Sequence, residues 1–144
     1  MDVGLHDRLA EIMARHHVSL AYLFGSQAEA GKAVLEGRIF EPGDALSDLD
    51  LGVLVEGSLP TARERVGFYA ALYNDLADLF SPLHLDLVLL QETHSVFQLE
   101  AINGMCVYER DELTRDNYEM NVLRKAADFR PVLTKFLAEA LEEV

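Results

Sequence analysis

The stretch "LFGSQAEAGKAVLEGRIFEPGDALSDLDLGVLV", Leu23 to Val55, decides how this chain is read. It sets two carboxylates, Asp48 and Asp50, one residue apart at the mouth of an apolar run. Desolvating an unpaired carboxylate is costly, and two neighbours also repel each other. Either the pair belongs to a solvated turn or a positive charge sits between its members. Side chains alternate along a strand, so Asp48, Asp50, Gly52 and Leu54 share one face. Leu49, Leu51, Val53 and Val55 take the other, which reads as a core face.

The run "HLDLVLL", 84–90, repeats the arrangement. Leu85, Leu87 and Leu89 read as core-facing, and His84, Asp86 and Val88 point the other way. If the two strands are neighbours, Asp86 stands beside Asp48 and Asp50. Three carboxylates on one sheet face require protons or a cation, and hard oxygen ligands suit magnesium or manganese. Two such ions, about 3.5–4 Å apart, can activate an attacking oxygen and steady a leaving one. Upstream, Gly25-Ser26 follows a strand and precedes a short helix beginning near Gln27. Backbone N–H groups at a helix start attract phosphate, glycine lets it approach, and the Ser26 hydroxyl adds a donor.

Around these runs the elements fall into place. "HDRLAEIMARH" has Leu5, Leu9, Ile12, Met13 and His16 at helical spacing, with Asp2 as a candidate cap. "VSLAYLF" is a strand, and "LDLGVLV" a second one closed by Gly57, Ser58 and Pro60. Thr61 starts a helix with Val66, Tyr69, Tyr73, Leu76 and Phe80 on one stripe. The 84–90 strand comes third, then a short helix over Val96–Ile102 and a brief "CVYE" strand. From about Asp111 the chain reads as helix, with Leu113, Met120, Leu123 and Ala127 as its apolar stripe. Pro131 predicts a break there, followed by a last helix to about Leu141. The fold class expected is α/β or α+β: one domain, 1–144, with a small mixed sheet and helices packed on it.

Composition narrows the function. Twelve Lys and Arg against 25 Asp and Glu give a formal charge of −13, which repels phosphate backbones and argues against direct nucleic-acid binding. The same charge attracts a basic protein partner. No apolar run is long enough for a bilayer and the N-terminus lacks signal-peptide character, so the expectation is a cytoplasmic protein without a membrane association. One cysteine, Cys106 in "MCVY", reads as a structural thiol in a reducing compartment. Tyr69, Tyr73, Tyr108 and Tyr118 read as packing residues, and His84 as a partly exposed histidine.

The residues "GSQAEAG", "SDLDLGVLV" and "LDLVLL" resemble the minimal nucleotidyltransferases (MNT domains) of the DNA polymerase β superfamily. Their pattern is G-S-x-A-R-G, then S-D-x-D-L, then an aspartate on a third strand. The resemblance runs from Leu20 to about Leu90, and the later "GMCVYERD…NYEMNVLRKAADFRP" is similar to the antitoxins of HEPN/MNT toxin–antitoxin pairs. It implies a polymerase β-like fold in which Asp48, Asp50 and Asp86 hold two Mg²⁺ ions. Gly25 and Ser26 would bind the phosphates of an NTP, with ATP as donor, and Asp86 would be the base for the acceptor hydroxyl. It further implies transfer of AMP to a tyrosine of a basic HEPN-type ribonuclease toxin.

Two departures stand out. The family arginine is Glu29 here, with Lys32 and Arg38 as candidate replacements. The 32–46 segment is longer than the family loop, either a flap over the site or a surface insertion. Two rival readings remain: an antitoxin that neutralises by occlusion without catalysis, and a drug-modifying enzyme similar to aminoglycoside nucleotidyltransferases. The latter usually carry an added helical domain, for which 144 residues leave little room. The sequence leaves the oligomeric state open.

Overall fold

The structure, a computed structural model, describes residues 4–38 and 48–142. The candidate cap Asp2, Ser47 of the aspartate motif and most of the long insertion lie outside the described residues.

Helix α1 (Leu5–Arg15) leads through His17, in the left-handed region at φ 57°, into β1 (Val18–Phe24). Gly25 to Gln27 turn the chain into α2 (Ala28–Leu35), so the first part of the segment read as a loop is helix. Then come β2 (Leu49–Val55), α3 (Ala62–Phe80) and β3 (Leu85–Leu89). A 3-10 turn at Leu90–Glu92, α4 (Ser95–Ile102), β4 (Met105–Glu109) and α5 (Glu112–Glu142) complete the order. Among the described residues no helix is long and apolar enough to cross a membrane.

The sheet runs β3-β2-β1-β4. β1 pairs antiparallel with both β2 and β4, and β2 pairs parallel with β3 through the α3 crossover. β1 is buried along its whole length because the sheet is covered on both faces. On one face Val18, Ala21 and Leu23 join Leu49, Leu51, Val53, Leu85, Leu87 and Leu89 under α1 and α3. On the other, Leu20, Tyr22 and Phe24 pack with Leu90 and Ala101, near Phe97 and Tyr118 of α4 and α5. Gly52 is what lets this second layer close: a Cβ there would stand 2.9 Å from Leu90 Cδ2 and 3.3 Å from Phe24.

Polar contacts fix the outer layer. The buried Tyr22 hydroxyl donates to Glu119 at 2.9 Å, and Arg115 Nε donates to the same carboxylate at 3.0 Å. Tyr118 donates to Gln98 Oε1 at 2.8 Å, tying α5 to α4. Asp111 caps α5 by accepting the Thr114 backbone N–H at 2.7 Å.

Three expectations from periodicity fail. Val66 of the α3 stripe is 74% exposed, because α3 meets the core lower down, through Leu72, Leu76, Leu79 and Phe80. The α5 stripe of Leu113, Met120 and Leu123 also faces solvent; among the described side chains of α5, Val122 on the opposite side is the buried one. Pro131 does not break α5, which continues to Glu142. Proline removes one intrahelical donor and crowds one carbonyl, and the ladder resumes beyond it.

Candidate active site

Asp50 lies where β1, β2 and β3 come together. Antiparallel pairing puts Asp50 opposite Phe24, the last residue of β1, so the turn that follows β1 sits over it. Parallel pairing puts Asp50 in register with Asp86. β2 is the shared neighbour, and it brings Gly25, Asp50 and Asp86 to one end of the sheet although Asp86 is far away in sequence. Burial along β3 alternates as the leucine spacing requires, with Asp86 on the open face.

Gly25 has two reasons to be glycine. Its φ is +77°, which side chains rarely adopt, and an added Cβ would collide with the Asp50 carboxylate. The backbone of the turn therefore touches the carboxylate. Ser26 is exposed beside it, and Gln27, itself buried, stands at the start of α2.

Electrostatics mark Asp50. Its carboxyl is pushed up to about 6, first by burial, then by the Asp86 charge and a hydrogen bond to that carboxyl. Asp48 and Glu100 add smaller effects of the same sign. Asp48 is exposed just ahead of β2, and among the described residues no three His, Cys, Asp or Glu side chains are gathered as a ready metal cage. Asp50 and Asp86 form a pair, with Asp48 nearby. That donor set fits a hard divalent ion such as Mg²⁺, which commonly takes one or two carboxylates and leaves its other positions to water and substrate phosphate.

Glu100 is the participant that sequence reading missed. It lies on α4, whose packing over the Asp50 face has no strand-like signal in the sequence. The candidate replacements for the family arginine are engaged elsewhere: Lys32 lies 4.0 Å from Glu36, and Arg38 pairs with the same carboxylate. Glu29 is exposed in the first turn of α2. His84 is exposed at the start of β3. A cavity of about 470 Å³ beside α3 is lined by Arg65, Val66, Tyr69 and Leu89, and its one carboxylate, Glu92, is paired with Arg65 at 2.7 Å. It offers none of the paired-acid chemistry.

A glycine turn with positive φ against an aspartate, and an aspartate pair across two parallel strands, thus meet at one end of the mixed sheet. Residues 7–113 match the model of polymerase beta, nucleotidyltransferase. The chain belongs to that family. No curated protein matches it by sequence. Among solved structures it resembles a mutant MntA–HepT toxin–antitoxin complex at 14% identity and TM-score 0.68, covering 94% of this chain and 98% of that one. A toxin–antitoxin complex with AMP-PNP matches at 14% and 0.67, over 94% and 98%. A tri-AMPylated Shewanella oneidensis HEPN toxin in complex with its MNT antitoxin matches at 14% and 0.62, over 95% and 96%. At such identity the likeness is one of fold: this nucleotidyltransferase has the architecture found in those complexes.

Proposed function

We propose that this nucleotidyltransferase transfers AMP from ATP to a tyrosine hydroxyl of a HEPN-type ribonuclease toxin and thereby acts as its antitoxin. The observation that carries the proposal is the Asp50–Asp86 pair in register under the Gly25 turn. Support for the acceptor comes from the solved structures of like fold, one of which is an MNT antitoxin in complex with a tri-AMPylated HEPN toxin. The chain's charge of −13 favours a basic partner.

Each residue has a role in this reading. Gly25 and Ser26 hold the NTP phosphates through backbone N–H groups at the start of α2, assisted by the Ser26 hydroxyl. Asp48, Asp50 and Asp86 would hold Mg²⁺, as two ions, and the metal would offset the charge of the phosphates when bound. Asp86, on the open edge strand, accepts the proton of the acceptor hydroxyl. That oxygen attacks the α-phosphorus in line, the bond to the β-phosphate breaks, and pyrophosphate leaves.

Glu29 favours a second reading. Among the described residues Lys32 and Arg38 are both paired with Glu36; in this reading nucleotide binding is weakened, and the antitoxin neutralises by coverage alone. Intact mass of a candidate HEPN protein after incubation with this chain, ATP and Mg²⁺ decides between them, with an Asp48→Asn/Asp50→Asn control. A gain of AMP, absent in the control, is expected. An unchanged mass with a stable complex refutes transfer and leaves coverage.

A further inference from the structure

Among its described side chains, helix α5 is apolar on two faces, and the protein covers one. Val122 is buried, and Tyr118 packs with the layer formed by α4 and β1. At about 3.6 residues per turn, Leu113, Met120, Leu123 and Ala127 fall on the far side. Leu113 is 69% exposed, Met120 58% and Leu123 49%. A second apolar stripe on a helix already docked is an interface feature.

The charges within that stripe indicate what covers it. Asp116 lies one turn before Met120 and Arg124 one turn after, both exposed. Among the described residues neither makes an ion pair. An aspartate set among apolar side chains calls for a cation opposite. A second α5 laid antiparallel, with Met120 on the two-fold axis, places Arg124 of each copy against Asp116 of the other. Leu113 then meets Ala127, also twice. A parallel arrangement would set Asp116 against Asp116. The stripe is thus self-complementary in one direction only, as an isologous interface requires.

We propose that the chain forms a two-fold symmetric dimer through the Leu113–Ala127 face of α5. The occupant of the stripe is a second copy of this chain. This stands independently of the transferase reading, because none of these residues lies in the candidate site.

Sedimentation velocity over a dilution series of the full chain tests it. The expected result is a dimer that dissociates on dilution. Met120→Glu, which puts two glutamates on the axis, should raise the dissociation constant about 100-fold or more. Asp116→Arg and Arg124→Asp should each weaken the dimer about 10-fold by opposing like charges, and the double variant should return to within about 3-fold of wild type. All three positions are exposed, so helicity by circular dichroism should be unchanged. A monomer at every concentration overturns the proposal, as does a dimer indifferent to Met120→Glu or a double variant no tighter than the singles. A monomer whose binding to a toxin is lost in Met120→Glu also overturns it, and assigns the stripe to that partner.

Discussion

Replacing Asp50 with asparagine should stabilise the free protein while destroying its chemistry. A carboxyl held at about 6 in place of 3.8 corresponds to about 3 kcal/mol of unfavourable ionisation at neutral pH. Asp50 is only partly buried, so water screens some of this and leaves about 1–2 kcal/mol. The sign follows from proton linkage. A raised folded-state value means the native protein holds the proton more tightly than the unfolded chain. Wild-type stability is therefore full below pH 4 in this contribution and declines as pH rises through about 6. The asparagine variant lacks that decline, and its amide can donate to Asp86. Urea denaturation without divalent cations, from pH 4.5 to 8, should show Asp50→Asn more stable than wild type by about 1–2 kcal/mol at pH 7.5, or about 3–8 °C in Tm, with the gap closing toward pH 4.5. A variant that is less stable at pH 7.5, or a gap that persists unchanged at pH 4.5, would refute the idea that burial and neighbouring carboxylates disfavour the ionised form of Asp50.

Other perturbations probe the same structure. Gly25→Ala should lose transfer and about 1–2 kcal/mol or more of stability, since it meets both a left-handed backbone and the Asp50 carboxylate; chemical denaturation beside a transfer assay checks it, and a neutral result removes the contact. Mg²⁺ at ten times its Kd should raise stability by about 1.4 kcal/mol in wild type and not in Asp48→Asn/Asp50→Asn; equal thermal shifts in the two would place the ion elsewhere. Glu29→Arg should tighten binding of a non-hydrolysable ATP analogue several-fold by calorimetry, and unchanged affinity would show that this position does not face phosphate. Tyr22→Phe, which deletes the 2.9 Å bond to Glu119, should cost about 1 kcal/mol in urea; a variant as stable as wild type would make that bond energetically idle.

Much of this was legible from side-chain alternation. The leucines of β2 and β3 specify their core faces and so set Asp50 and Asp86 on the opposite face of each strand, and the β2–β3 pairing makes that face a shared one. What alternation could not reveal was what covers that face. Phe24, Leu90 and Ala101 close much of it beside Asp50, so Asp50 lies at one end of a second core while Asp86 stays exposed on the edge strand. Glu100 was hidden for the same reason. Helical periodicity was ambiguous in α5, where two apolar stripes compete. On the buried side Tyr118 donates to Gln98 of α4 and packs into the layer with Phe97, a tertiary fact with no local signature. Gly25 was readable as a phosphate-approach glycine, whereas its contact with Asp50 depends on the register between β1 and β2.

Asp86 stands on an edge strand, where unpaired backbone invites another chain to add itself. Without its charge, β3 would be an uninterrupted apolar run from Leu85 to Leu89, the kind of short segment that seeds intermolecular sheets. The carboxylate and the Tyr69 hydroxyl, which donates to the Leu87 carbonyl at 2.7 Å, blunt that edge. Substitutions at this position therefore separate into two kinds. Asparagine removes the proposed base and keeps the edge polar, whereas valine or alanine would also uncover an aggregation-prone strand. A precipitating Asp86→Val variant would then be scored as inactive for the wrong reason, since the proposed proton acceptor is also the strand's gatekeeper.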